Sequence, residues 1–179
     1  MPESRAIAQF LASATSTTTG LFIEGEAGIG KTTLWLHTCE QAAAQGFRVL
    51  TAHGDPSALS LVFAAVADLL AEVDPEIIDQ LPPVQRGALN RILLRDSNIP
   101  ATNERATAAA FQGVIQHLAA DTPVLIAIDD VQWLDTSSAA VVRFAARRLS
   151  VRSGCCSSRA SANRSHSACR RFSWAARMR

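Results

Sequence analysis

The stretch GEAGIGKTT, from Gly25 to Thr33, constrains this chain more than any other. It fits the phosphate-binding pattern GxxxxGK(S/T) through Gly25, Gly30, Lys31 and Thr32. An apolar run, Leu21-Phe22-Ile23, precedes it, and a helix-compatible run from Leu34 to Ala44 follows. That strand–loop–helix context is what the motif requires. Gly25, Glu26, Ala27, Gly28, Ile29, Gly30, Lys31, Thr32 and Thr33 are the candidate nucleotide-binding residues. The loop amides make a concave anion site at a helix N-terminus. Glycine lets backbone approach phosphate and tolerates positive φ. Lys31 is placed to reach β- and γ-phosphates, and the Thr32 hydroxyl to ligate Mg²⁺. Glu26 sits at a variable loop position and reads as a solvated side chain.

A second motif is PVLIAIDDVQW, Pro123 to Trp133. Val124 to Ile128 are apolar without alternation, as in a strand buried on both faces of a parallel sheet. Asp129 and Asp130 stand at its C-terminal end, where open α/β sheets bind ligands. The pattern has the form of a Walker B site. Asp129 is the candidate Mg²⁺ ligand, acting through water. Asp130 is the candidate catalytic group, orienting or deprotonating the attacking water. Asp135 reads as a helix cap. His53 lies at the same sheet edge, where a structural role is favoured over a nucleotide contact.

With 179 residues, nearly half of them apolar, one domain with a substantial core is expected. No stretch has the length and apolarity of a membrane span, and no secretory pattern opens the chain. Cytoplasmic residence is the expectation. Cys39 falls on the helix after the loop and reads as a small core residue. Cys155, Cys156 and Cys169 lack the paired spacing of a zinc site. The net charge of +1 conceals an asymmetry, because residues 151–179 carry seven arginines and no acid. That tail is Arg/Ser-rich without a sustained period, a composition that stays disordered.

The periodicity predicts a short helix over 3–13, a linker to Thr19 and a strand over 20–24. A helix over 31–45 ends at Gly46 as C′. A strand over Arg48–Ala52 and a helix over Leu59–Val73 follow. A helix opens at Pro82-Pro83 and runs through Leu94. Another spans Asn103–Ala119, and a last one is capped by Asp135 or Thr136 and runs to Leu149.

The motifs GEAGIGKTTL, LVFAAVADLL, LPPVQRGALNRILL and VLIAIDDVQWLDTSS together resemble the ATPase domain of large LuxR-family bacterial transcriptional regulators. These belong to the STAND and AAA-like branch of P-loop NTPases. The resemblance spans Leu21 to about Leu149. It implies an α/β fold, a P-loop NTPase three-layer sandwich with a parallel sheet of strand order 5-1-4-3-2. It also implies ATP with Mg²⁺, slow switch-like hydrolysis and a separate DNA-binding effector. Guanine is disfavoured independently, since an (N/T)KxD motif needs a lysine and Lys31 is the only one.

Strand four of that order separates the P-loop strand from the Walker B strand. The sequence due there is the Arg/Ser/Cys tail, so the fold is expected to be incomplete at the C-terminus. The domains expected are 1–19, helix and linker; 20–150, ATPase; and 151–179, disordered tail. Written in GC-rich codons and read one base earlier, Arg152 to Ser157 becomes Val-Gly-Val-Leu-Leu. That is an apolar run suited to a buried strand, and a frameshift is the favoured origin of the tail. The functional expectation is an ATP-binding module of a truncated regulator ATPase with weak or no hydrolysis. The alternatives are a non-catalytic interaction fragment, or the product of a frameshifted gene. Nucleotide is the expected partner, with a protein partner or self-association beside it. DNA binding is not supported, because the tail offers charge without a recognition helix.

Overall fold

A computed structural model of the chain describes residues 2–94, 103–149, 153–160 and 168–172. Five strands, β1 (Thr19–Gly25), β2 (Arg48–His53), β3 (Val124–Asp129), β4 (Ser153–Ala160) and β5 (Ala168–Phe172), form one sheet. The order is β2-β3-β4-β1-β5. Strands β2, β3, β4 and β1 are mutually parallel, and β5 joins β1 antiparallel. This is the 5-1-4-3-2 order read from the other end.

The sheet separates two cores. Along β3 every residue is buried. Val124, Ile126 and Ile128 point to one core, and Leu125 and Ala127 to the other. That split is the period of two of a strand. On the first face lie α3 (Ala64–Leu70), α4 (Pro75–Asp79), α5 (Pro83–Ile92), α6 (Glu104–Asp121) and α7 (Thr136–Ala146). On the second lie α1 (Pro2–Ala14) and α2 (Lys31–Ala44). The result is a three-layer α/β/α sandwich. Helix α1 inserts Ile7, Phe10, Leu11 and Ala14, all fully buried, against Leu21 and Ile23. These side chains share one core with Trp35 and Ala42 of α2.

Local chemistry explains most boundaries. Gly46, at φ 81°, ends α2 in the left-handed conformation that favours glycine. Asn103 caps α6 by accepting from Arg105 N at 2.8 Å. The helix expected over Leu59–Val73 is shorter. A 3-10 turn at Pro56–Ala58 precedes it, and Phe63 at φ 65° delays its start to Ala64.

The expectation of a disordered tail and an unfilled central position is corrected at two segments. Ser153–Ala160 forms β4, bonded to β1 on one side and β3 on the other. Ala168–Phe172 forms β5. The sheet is therefore not incomplete at that position. The physical reason is backbone accounting. Two parallel strands facing an empty slot would bury unpaired N–H and C=O groups, and any strand without proline can satisfy both. Residues 150–152, 161–167 and 173–179 lie outside the described residues, and so do the remaining tail expectations. Among the described residues no helix is long and apolar enough to cross a membrane.

Candidate nucleotide site

The P-loop connects the end of β1 to the start of α2. Gly25 is the last residue of β1, and Lys31 the first of α2. Gly28 and Gly30 have φ 79° and 93°. Side chains rarely adopt these values, so glycine at both positions is what lets the loop turn its amides inward. Gly30 caps α2 without a side-chain bond, and its carbonyl accepts from Leu34 N at 3.0 Å. Glu26 and Thr33 are exposed, Ile29 is half-buried, and Gly25 is buried.

Lys31 is 7 % exposed, and its ammonium donates to the Glu26 carbonyl at 2.8 Å. The charge is thus folded onto the loop's own backbone. Lys31, Trp35, Thr38 and Ala42 form the buried stripe of α2, at spacings of four, three and four. The stripe holds the lysine stem while its head stays at the loop.

Asp129 ends β3 and is 4 % exposed. Its Oδ1 accepts from the Ser158 hydroxyl of β4, and from Asp130 N at 3.0 Å. Asp130 N also donates to Ser158 Oγ at 3.0 Å. Asp130 has φ 50°, which swings its side chain off the strand direction. Its Oδ1 accepts from Gln132 Nε2 at 2.8 Å. Gly54, just after β2, donates its amide to the Asp129 carbonyl at 2.9 Å. A Cβ at Gly54 would collide with the Asp130 carbonyl and stand 3.1 Å from Trp133 Cβ, so only glycine fits beneath this turn.

The two motifs open on one cleft of about 450 Å³. Its lining includes Gly28, Gly30, Lys31 and Thr32 from the P-loop side, and Asp130, Gln132 and Trp133 from the other. Ala27 lines it as well. Asp129 is set one step behind this surface. That donor set fits Mg²⁺. The exposed Thr32 hydroxyl and nearby carboxylates are hard oxygen ligands, and Mg²⁺ keeps waters and takes phosphate oxygens rather than an all-protein cage. Among the described residues no group of three His, Cys, Asp or Glu forms such a cage.

Three neighbouring residues have structural roles. Asp135 caps α7, accepting from Ser138 N at 2.8 Å, and also accepts from Phe63 N at 3.0 Å. It ties the starts of α7 and α3 together. His53 meets the Trp35 ring edge to face, with centroids 4.9 Å apart, and does not line the cleft. Cys39 is half-buried, and its thiol pKa is pushed up to about 12 by burial and then by the charges of Asp129 and Glu40.

Sequence reasoning did not single out Ser158, Gln132 or Gly54. Gln132 was within reach, two residues after Asp130 in DDVQW. Ser158 carries no local signal, because its role comes from pairing between β4 and β3.

No curated protein matches the chain. A family model described as "AAA ATPase domain" matches residues 2–156, which takes in α1, both motifs and the first part of β4. That family consists of P-loop NTPase domains, and the sheet order and the cleft agree with it. The chain belongs to the AAA ATPase domain family.

Proposed function

We propose that the chain is the ATP-binding module of a signal-transduction ATPase, of the kind carried by large LuxR-type regulators of the STAND branch. It acts in the cytoplasm as a nucleotide-dependent switch, and hydrolysis, where it occurs, is slow. In this reading the Gly25–Thr33 loop cradles the phosphates, and Lys31 transfers its ammonium from the Glu26 carbonyl to the β- and γ-phosphates. Thr32 and Asp129 would hold Mg²⁺, which would neutralise phosphate charge. Asp130 takes the proton of the attacking water. The effector that such a switch would control is not in the described residues.

The observation that supports this best is the shared cleft. Lys31 and Thr32 face Asp130 across a space of about 450 Å³, although they lie about a hundred residues apart in sequence. Hydrogen-bonded positioning of this kind is what phosphoryl transfer requires. The test is titration with a fluorescent ATP analogue. Lys31→Ala removes a charge-assisted phosphate contact and is expected to weaken binding at least tenfold, or roughly 1.5–3 kcal/mol. Equal affinity in wild type and variant would refute the assignment.

A further inference from the structure

Gln132 stands out because half of its side chain is used and half is not. Its Nε2 donates to Asp130 Oδ1 at 2.8 Å. Among the described residues its Oε1 has no hydrogen-bond partner, and it is shielded from bulk solvent. The carboxamide orientation is dictated by chemistry, since the reverse would set its oxygen against a carboxylate oxygen. A buried acceptor left unpaired is costly, and such groups in native proteins call for an explanation. The residue lines the cleft shared by Lys31, Thr32 and Asp130.

The backbone around it is fixed from both sides. Asp130 N is bonded to Asp129 Oδ1 and Ser158 Oγ, and the Asp130 carbonyl accepts from Trp133 N at 2.9 Å. With the main chain held, the Gln132 amide is the side-chain contact that aims the Asp130 carboxylate among the described residues.

Resting on the nucleotide reading above, we propose that Gln132 is a positioning residue for the attacking water. Its amide N–H fixes one oxygen of Asp130, leaving the other to accept a proton from that water. On nucleotide binding the carboxamide turns to bring its shielded Oε1 to the cleft, where it accepts the water's second O–H. The water is then held at two points, as in-line attack demands. The step balances. The water oxygen bonds to the γ-phosphorus, one proton passes to Asp130, and the bond from the γ-phosphorus to the β–γ bridging oxygen breaks. The leaving electron pair stays on ADP, and Asp130 later returns its proton to solvent. The two-point contact exists where an in-line water faces a γ-phosphoryl group or its mimic, and is absent from the Mg²⁺-ADP complex.

The test separates those two states without requiring turnover. The affinity for Mg²⁺-ADP is measured with and without tetrafluoroaluminate, which mimics the transferring phosphoryl group with water in line. Wild type is compared with Gln132→Ala, with the bulk-preserving Gln132→Met and with Lys31→Ala, after matched melting curves. Wild type is expected to bind about 10²-fold more tightly with fluoroaluminate. Both Gln132 variants should keep Mg²⁺-ADP affinity within about twofold and forfeit roughly tenfold or more of the enhancement. A merely structural role would lower both affinities together. Undiminished enhancement in both Gln132 variants overturns the proposal. So does a wild type that binds Mg²⁺-ADP with no enhancement, which leaves the nucleotide reading standing. If Lys31→Ala binds Mg²⁺-ADP as wild type does, the nucleotide site itself is misplaced and the proposal falls with it.

Discussion

Strands β3 and β4 are neighbours in one sheet, parallel and paired from Val124↔Ser153 to Ile128↔Ser157. They are built from opposite materials. β3 reads VLIAID and is buried at all of its positions. β4 reads SGCCSSRA, with no leucine, isoleucine or valine. β3 feeds two cores, one on each face. β4 supplies two strands' worth of backbone pairing, together with the buried hydroxyls of Ser157 and Ser158. The same architectural position can thus be specified by side-chain burial or by backbone complementarity. The first is worth about 1.5–3 kcal/mol per large apolar residue. The second nets about 0.5–1.5 kcal/mol per hydrogen bond, against an ordering cost of 1–2 kcal/mol per residue. On those magnitudes β3 holds itself in place, while β4 depends on the sheet already formed around it.

The comparison is sharpened most by truncating each strand. Ile126→Ala in β3 removes a side chain that is 4 % exposed, and should cost about 2–5 kcal/mol in urea unfolding. Ser157→Ala in β4, only 3 % exposed, should cost less than about 1 kcal/mol. Comparable losses in the two would break the contrast and assign β4 a packing role of its own.

An effect between those two is expected one residue on, at Ser158. The Ser158 side chain donates to a carboxylate of the site, Asp129 Oδ1. Ser158→Ala should cost about 1.5–3 kcal/mol as a lost bond to a charged group, and should reduce the Mg²⁺-dependent part of nucleotide affinity. Calorimetric titration of ATP with and without Mg²⁺ reads the second effect directly. An unaltered Mg²⁺ dependence would reduce Ser158 to a structural contact.

The contrast also explains what the sequence discloses. β3 is legible because Val124 to Ile128 are uninterruptedly apolar, and the P-loop is legible because Gly28 and Gly30 must take positive φ. Gly46, Asn103 and Asp135 mark helix ends through capping chemistry that is local in sequence. β4 is not legible, because nothing in Ser153–Ala160 has the composition of a buried strand. Its place follows from β1 and β3, which are far away in the chain. Ser158 and Gly54 are hidden for the same reason: each is defined by what crosses over it. The alternative reading frame, in which the β4 region becomes an apolar run, would turn β4 into a strand like β3. We propose it as the origin of the mismatch, and the codons of the gene decide it.

The account rests on β4 standing between β1 and β3, and amide hydrogen exchange tests that most directly. Residues 153–160 are compared with residues 124–129 in the full chain. Pairing on both sides predicts slow exchange across Gly154 to Ser158, approaching that of β3 and slowing further with Mg²⁺-ATP. Exchange there at the rate of an unfolded peptide, with β3 still protected, would contradict it.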